Sequence, residues 1–215
     1  MRNFNLKGII ESKVENYFSK YPAFVTNAAI AYLNNILHTE KFSSFLDKNS
    51  DKRGIELIDA FFEYLDFTYM VSNKDKMKIP SEGKLICVAN HPLGGLDALS
   101  IIKAVSEVRR DVKVVANDVL LNFEQISDLL IPYDVFSLKA QKDIIRRIDE
   151  ALLDDRAILF FPSGEVSRLT LKGIREKHWQ NGAVRFAHKY NVPVLPVFVK
   201  ARNTMKFYAA SLLNK

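Results

Sequence analysis

One cysteine, Cys87, stands in 215 residues, so no internal disulfide can brace this chain. A lone thiol fits a reducing compartment. Long apolar runs are also missing. A bilayer-spanning helix needs ~18 such residues or more, and the nearest stretch, Pro22 to Leu37, is interrupted by Thr26, Asn27, Asn34 and Asn35. The opening Met1-Arg2-Asn3-Phe4 does not lead into the charged, apolar and small-residue regions of a secretory leader. These absences predict a soluble or peripheral protein. There is no internal repeat and no low-complexity segment.

What is present is the balance of a folded domain. Hydrophobic residues make up 48% and charged residues 26%, which excludes a disordered chain. A chain this long builds a core without metal or disulfide staples. Acidic residues are scarce near the carboxyl end. Residues 164–215 hold ten Lys or Arg against Glu165 and Glu176 alone, a net charge of +8, while residues 1–163 carry −2. A basic quarter suits an anionic partner such as a phosphate-bearing small molecule, an acidic carrier protein or an anionic membrane surface. It is equally what a solvated basic surface looks like. Nucleic acid is the least suited partner, because the aromatics follow apolar, core-like periods and do not interleave with Lys and Arg.

Residues 1–70 read as a helical extension. Ile9, Ile10, Val14 and Phe18 recur at helical spacing, Ala28 to Leu37 continues it, and Ile55, Ile58, Phe62 and Leu65 mark a further helix. From residue 71 to 215 the pattern changes. After a polar stretch, Ser72 to Lys84, short apolar runs alternate with amphipathic helices. The runs are Leu85–Ala89, Val112–Ala116, Ala157–Phe161 and Val194–Val199. The helices run from Asp97 to Val108, through Ile144, Ile145, Ile148 and Leu152, and from Ala183 to Tyr190, with a mixed region reaching Phe136. This alternation predicts an α/β fold, with a mixed, largely parallel sheet flanked by helices.

Two strand ends carry chemistry. Leu85–Ala89 runs into Asn90-His91-Pro92-Leu93-Gly94-Gly95-Leu96-Asp97, and the carboxyl ends of parallel strands are where such folds place their sites. Gly94 and Gly95 permit positive φ and a tight return, which would bring the Asp97 carboxylate to the His91 imidazole. A carboxylate on one ring nitrogen fixes the tautomer and leaves the other nitrogen to accept a proton. Asp97 is also placed to cap the following helix. The second strand end is Phe161-Pro162-Ser163-Gly164-Glu165-Val166-Ser167-Arg168. Its glycine turn could aim N–H groups at an anion, with Arg168, Lys172 and Arg175 adding positive charge. A plain strand–turn–strand link is the alternative. Val192-Pro193-Val194-Leu195-Pro196-Val197 is a strand whose prolines predict an edge. Cys87, among apolar neighbours, reads as core, and His178 beside Trp179 as a surface or structural residue.

Together these three blocks resemble the glycerolipid acyltransferase superfamily, the lysophosphatidate acyltransferase-like proteins. Asn90-His91 through Asp97 is similar to its Asn-His…Asp signature. Phe161-Pro162-Ser163-Gly164 is similar to its Phe-Pro-Glu-Gly block, and Val192–Val197 to its Val-Pro-Val-x-Pro-Val block. The wording of the first block further resembles a bacterial, hemolysin-like branch that includes O-acyltransferases of ornithine and glycine aminolipids. The His-to-Asp spacing is one residue longer than the main family's. Ser163 replaces the block's glutamate, with Glu165 after the glycine instead, and no arginine block is evident between residues 117 and 140. The chain ends soon after the last block, as a truncated form or one domain of a longer polypeptide would.

The resemblance implies an O-acyltransferase moving a fatty acyl group from acyl-CoA or acyl carrier protein to a lysolipid hydroxyl. The acceptor would be a lysophosphatidate-like lipid or a lyso-aminolipid. His91 and Asp97 would be catalytic, and Asn90, Gly94, Gly95, Pro162, Ser163, Gly164, Glu165, Arg168 and Arg175 would contact substrate. No cofactor or metal enters such a reaction beyond the acyl donor. The enzyme would be cytoplasmic and peripheral on the inner face of the membrane. A thioester or lipid hydrolase, or a non-catalytic lipid-binding protein at the membrane, would account for the same features.

Overall fold

The computed structural model describes residues 7, 8, 11, 22–36, 39–133 and 138–212. The helix expected through Ile9, Ile10, Val14 and Phe18 lies outside them, as do Leu37 and Phe136. The chain divides into two compact units, Met1–Phe67 and Thr68–Lys215. In the first unit, helices α1 (Ala23–Ile36), α2 (Thr39–Lys48) and α3 (Gly54–Tyr64) are described. Aromatic rings join α2 to α3. Phe45 meets Phe61 at 5.3 Å and Tyr64 at 5.0 Å between ring centroids. Leu57, Ile58 and Phe62 of α3 are buried. Leu65, counted above on the same face, is instead the exposed residue that ends the helix.

The second unit is α/β, as the alternation of runs and helices predicts. A short helix α4 (Asn73–Lys76) interrupts the polar stretch. Strand β1 (Leu85–Ala89) leads to α5 (Gly95–Ser106) and β2 (Lys113–Asn117). Two 3-10 turns, Asp118–Asn122 and Glu124–Leu129, precede β3 (Leu130–Tyr133) and α6 (Leu138–Leu153). Then come β4 (Ala157–Phe160), a hairpin of β5 (Arg168–Thr170) and β6 (Gly173–Arg175), α7 (Gly182–Tyr190), β7 (Val194–Val197) and α8 (Met205–Leu212). Among the described residues no helix is long and apolar enough to cross a membrane.

The main sheet has the order β3-β2-β4-β1-β7, and all its pairings are parallel. Both of its faces are covered. Ile86, Ile158, Phe160 and Ile131 pack with Ile148, Ala151 and Leu152 of α6 and Ala183 of α7. Side chains alternate along a strand, so Leu85, Cys87, Ala89, Val114 and Leu159, also buried, serve the opposite face. There α5, packed on β2, supplies Ile101, Ile102 and Val105. Burial on both faces explains why β1 and β4 read as unbroken apolar runs. Ile145, whose sequence pattern puts it on one face with Ile144, Ile148 and Leu152, is exposed, because Ile144 and Ile148 already fill the stripe. Pro196 of β7 is tolerated because β7 is an edge strand, as expected, and Pro193 lies just before the strand. Pro132 sits likewise in β3 at the other edge, and that proline hid β3 from the sequence reading.

Candidate active site

Strands β4, β1 and β7 are neighbours, and all three point the same way, so their carboxyl ends open onto one rim of the sheet. Asn90 and His91 leave β1, Phe161 leaves β4, and Val199 follows β7. The Asn90 side chain fastens two of these ends together. Its Nδ2 donates to the Val199 carbonyl at 2.9 Å, and its Oδ1 accepts the Val199 N–H at 2.6 Å. Further along, Asn203 Nδ2 donates to the Pro92 carbonyl at 2.8 Å. The side-chain amide of Asn90, expected above to touch substrate, is thus taken by the backbone just after β7.

Beyond His91 the chain turns back sharply. Gly94 has φ +87°, a conformation that side chains disfavour, and a Cβ there would meet Val166 Cγ2 at 3.3 Å. Gly95 needs no such freedom. It opens α5, which therefore starts two residues earlier than Asp97. Asp97 lies inside the first turn, buried, and its Oδ2 accepts the N–H groups of Leu93 (2.7 Å) and Gly94 (3.1 Å). The same oxygen stands 3.2 Å from His91 Nδ1. The capping role and the histidine contact are held by one atom. Imidazole and carboxylate touch without being aligned as a hydrogen bond, and Asp97 Oδ1 is buried with no hydrogen-bond partner among the described residues. Catalytic hydrogen bonds are commonly loose before substrate binds and tighten in the complex.

His91 is held from every side. Its ring stacks on Phe161, with centroids 3.9 Å apart and planes 29° from parallel. Its carbonyl accepts the Ser167 N–H at 2.9 Å and lies 3.4 Å from the Ser167 hydroxyl. Its N–H donates to the Glu176 carboxylate, whose other oxygen accepts the Trp179 indole N–H at 2.7 Å. Nδ1 is buried, so the 17% exposure of the side chain lies on its other atoms. The result is a fixed imidazole with one nitrogen against a carboxylate, at the open end of a parallel sheet. That arrangement is suited to taking a proton from an alcohol.

The family model for acyltransferases matches residues 12–215. The chain belongs to the acyltransferase family. Two relatives are similar over nearly all of it. The lyso-glycine lipid O-acyltransferase of Bacteroides thetaiotaomicron is 28% identical over 201 residues, covering 93% of this chain and 71% of that protein. That of Phocaeicola vulgatus is 27% identical over 205 residues, covering 95% and 71%. No solved structure matches the chain. The resemblance drawn from the three sequence blocks is borne out at the level of the superfamily.

The other residues of this acyltransferase singled out in the sequence have these surroundings. The Gly94 N–H is taken by Asp97, and of the glycine pair only Gly95 lies at the opening of α5. The Gly164 N–H is taken by the Phe161 carbonyl at 2.9 Å, closing the turn on itself, so it is not aimed at an anion. Ser163 is buried and donates to the Glu165 carbonyl at 2.9 Å, while the Pro162 carbonyl accepts the Gln180 N–H at 2.9 Å. Glu165 pairs with Arg168 at 3.0 Å and Lys177 at 3.3 Å. Arg175 is exposed, its Nε donating to the Lys172 carbonyl at 3.2 Å. His178 is at the surface. Cys87 is fully buried and burial pushes its thiol up to about 12, as a core residue requires. The sequence reading missed Glu176, Ser167 and Asn203, because each reaches the His91 loop from far along the chain. Phe161 opens the second block, but its stacking on the His91 ring carries no mark in the sequence.

Proposed function

We propose that this acyltransferase moves a fatty acyl group from the thioester of acyl-CoA or acyl carrier protein to the hydroxyl of a lysolipid, with a lyso-glycine lipid as the favoured acceptor. The acceptor class is supported by the names of the two relatives. The observation that carries the mechanism is the 3.2 Å contact of His91 Nδ1 with Asp97 Oδ2 at the sheet's carboxyl rim. His91 takes the hydroxyl proton, and Asp97 holds the ring and stabilises the imidazolium. The alkoxide attacks the thioester carbonyl. The tetrahedral intermediate then collapses, expelling thiolate, which takes the proton back from His91. Arg168 and Arg175 offer charge to a phosphate of the donor or to the acceptor headgroup. The enzyme works peripherally on the cytoplasmic face of the membrane, where its acceptor resides.

The test is incubation with acyl-CoA, or with acyl carrier protein charged with a fatty acid, and a panel of lysolipids, read by mass spectrometry of the lipids. The expected product is the doubly acylated glycine lipid, formed only when acceptor is present. His91→Ala should lower the rate by about 10² to 10⁴-fold without changing the circular dichroism of the fold. Thiol release independent of any acceptor would make the enzyme a hydrolase, and undiminished transfer by His91→Ala would refute the base.

A further inference from the structure

The β5–β6 hairpin is fastened at its base and projects at its tip. Ser167, Glu176 and Gln180 tie the base to the His91 and Pro162 backbones. Glu165 braces it through Arg168 and Lys177. The tip is a shaped turn. Thr170 Oγ1 donates to the Gly173 carbonyl at 2.7 Å and accepts the Lys172 N–H at 3.2 Å. That turn holds Leu171 outward, fully exposed, beside exposed Lys172, Arg175 and the partly exposed Ile174. What sets this tip apart from other exposed apolar residues is that Leu171 and Ile174 stand among cationic side chains, the pairing that an anionic lipid surface takes up.

We propose that this hairpin seats the enzyme on an anionic lipid surface, with Leu171 inserted at the head-group boundary and Lys172 against lipid phosphates. The charge is complementary, since residues 168–175 hold Arg168, Lys172 and Arg175 and no acidic residue. Two apolar side chains cannot bury the roughly 1,000 Å² a stable protein partner needs. A bilayer needs only a few inserted side chains backed by basic residues. The proposal rests on the reading of the acceptor as a membrane lysolipid, and it gives the hairpin's fastening a purpose. Because the base holds His91 by both backbone groups, a docked tip turns the site toward the surface that carries the acceptor.

The experiment is sedimentation of the full chain with vesicles of phosphatidylcholine, with or without phosphatidylglycerol. The parent should bind the phosphatidylglycerol vesicles, and less as salt rises. Leu171→Ser should weaken that binding about tenfold and Lys172→Gln about fivefold. Leu171→Ser should keep the parental transfer rate to a short-chain lysolipid dissolved as monomer. Unchanged vesicle binding by Leu171→Ser would overturn the proposal, as would equal binding of the parent to both vesicle types. So would loss of acidic acyl carrier protein binding in place of vesicle binding, which would make the tip a protein dock. The sedimentation needs no turnover, so absence of product from every lysolipid would sink the acceptor reading and leave this result standing.

Discussion

Asp97 Oδ2 answers to two structural demands at once, and the two can be separated by substitution. It accepts the Leu93 and Gly94 N–H groups, and it faces His91 Nδ1. Asparagine keeps an acceptor for the two N–H groups but loses the charge that stabilises an imidazolium. Asp97→Asn should therefore lower turnover by about 10² to 10⁴-fold while shifting stability by less than about 1 kcal/mol. Asp97→Ala should match that loss of turnover and cost a further 1 to 3 kcal/mol or so, because buried N–H groups lose their partner. Urea denaturation beside a rate assay reads both quantities. Equal stability of the two variants would show that the carboxylate has no capping role. Gly94→Ala acts through backbone conformation instead. At φ +87°, with Val166 at 3.3 Å, it should destabilise the fold by about 1 to 3 kcal/mol, measured in the same denaturation.

At the scale of elements, Arg109 just past α5 is the joint on which the opposite end of the sheet turns. It is buried and forks onto Asp111, with Nε and Nη2 each 2.7 Å from a carboxylate oxygen. It also donates to the Asp155 carbonyl before β4 at 2.8 Å and to the Pro80 carbonyl before β1 at 3.3 Å. Arg109→Ala breaks all of these and should cost about 3 kcal/mol, seen as a lower denaturation midpoint. The pairing holds the Asp111 carboxyl below the usual aspartate range. A lowered pKa in the fold means the unfolded chain binds the proton more readily. The pair's contribution is thus complete above the ordinary aspartate value near ~4 and is lost as the pH falls below it. In melting curves between about pH 2 and 6, Asp111→Asn should lose part of the parent's steep acid decline. An identical acid slope in both would rule out this linkage.

At the scale of the molecule, the sheet order determines what the site contains. Because β4, β1 and β7 are adjacent, Phe161, His91 and Val199 meet on one rim, although α5, β2, β3 and α6 lie between the first and second blocks in the chain. Local pattern was enough to place β1, β4, β7, α6 and α7 and to make the fold α/β, since burial on two faces writes itself as apolar runs and helical stripes. It was also enough to single out His91 and Asp97, which are six residues apart across one tight return. It was not enough for β3, where Pro132 breaks the run, nor for the glycine pair, of which only Gly94 takes a positive φ. Glu176 carries no local mark of its role. It reaches His91 across 85 positions, by way of a hairpin whose path depends on where β4 lies. By itself, then, the sequence determined the class of fold and that His91 and Asp97 would meet across one turn, because both arise from neighbours in the chain. Only tertiary structure decided what holds that pair, which N–H groups are already spent and which apolar side chains are left facing outward, because each depends on contacts between segments that the chain keeps far apart.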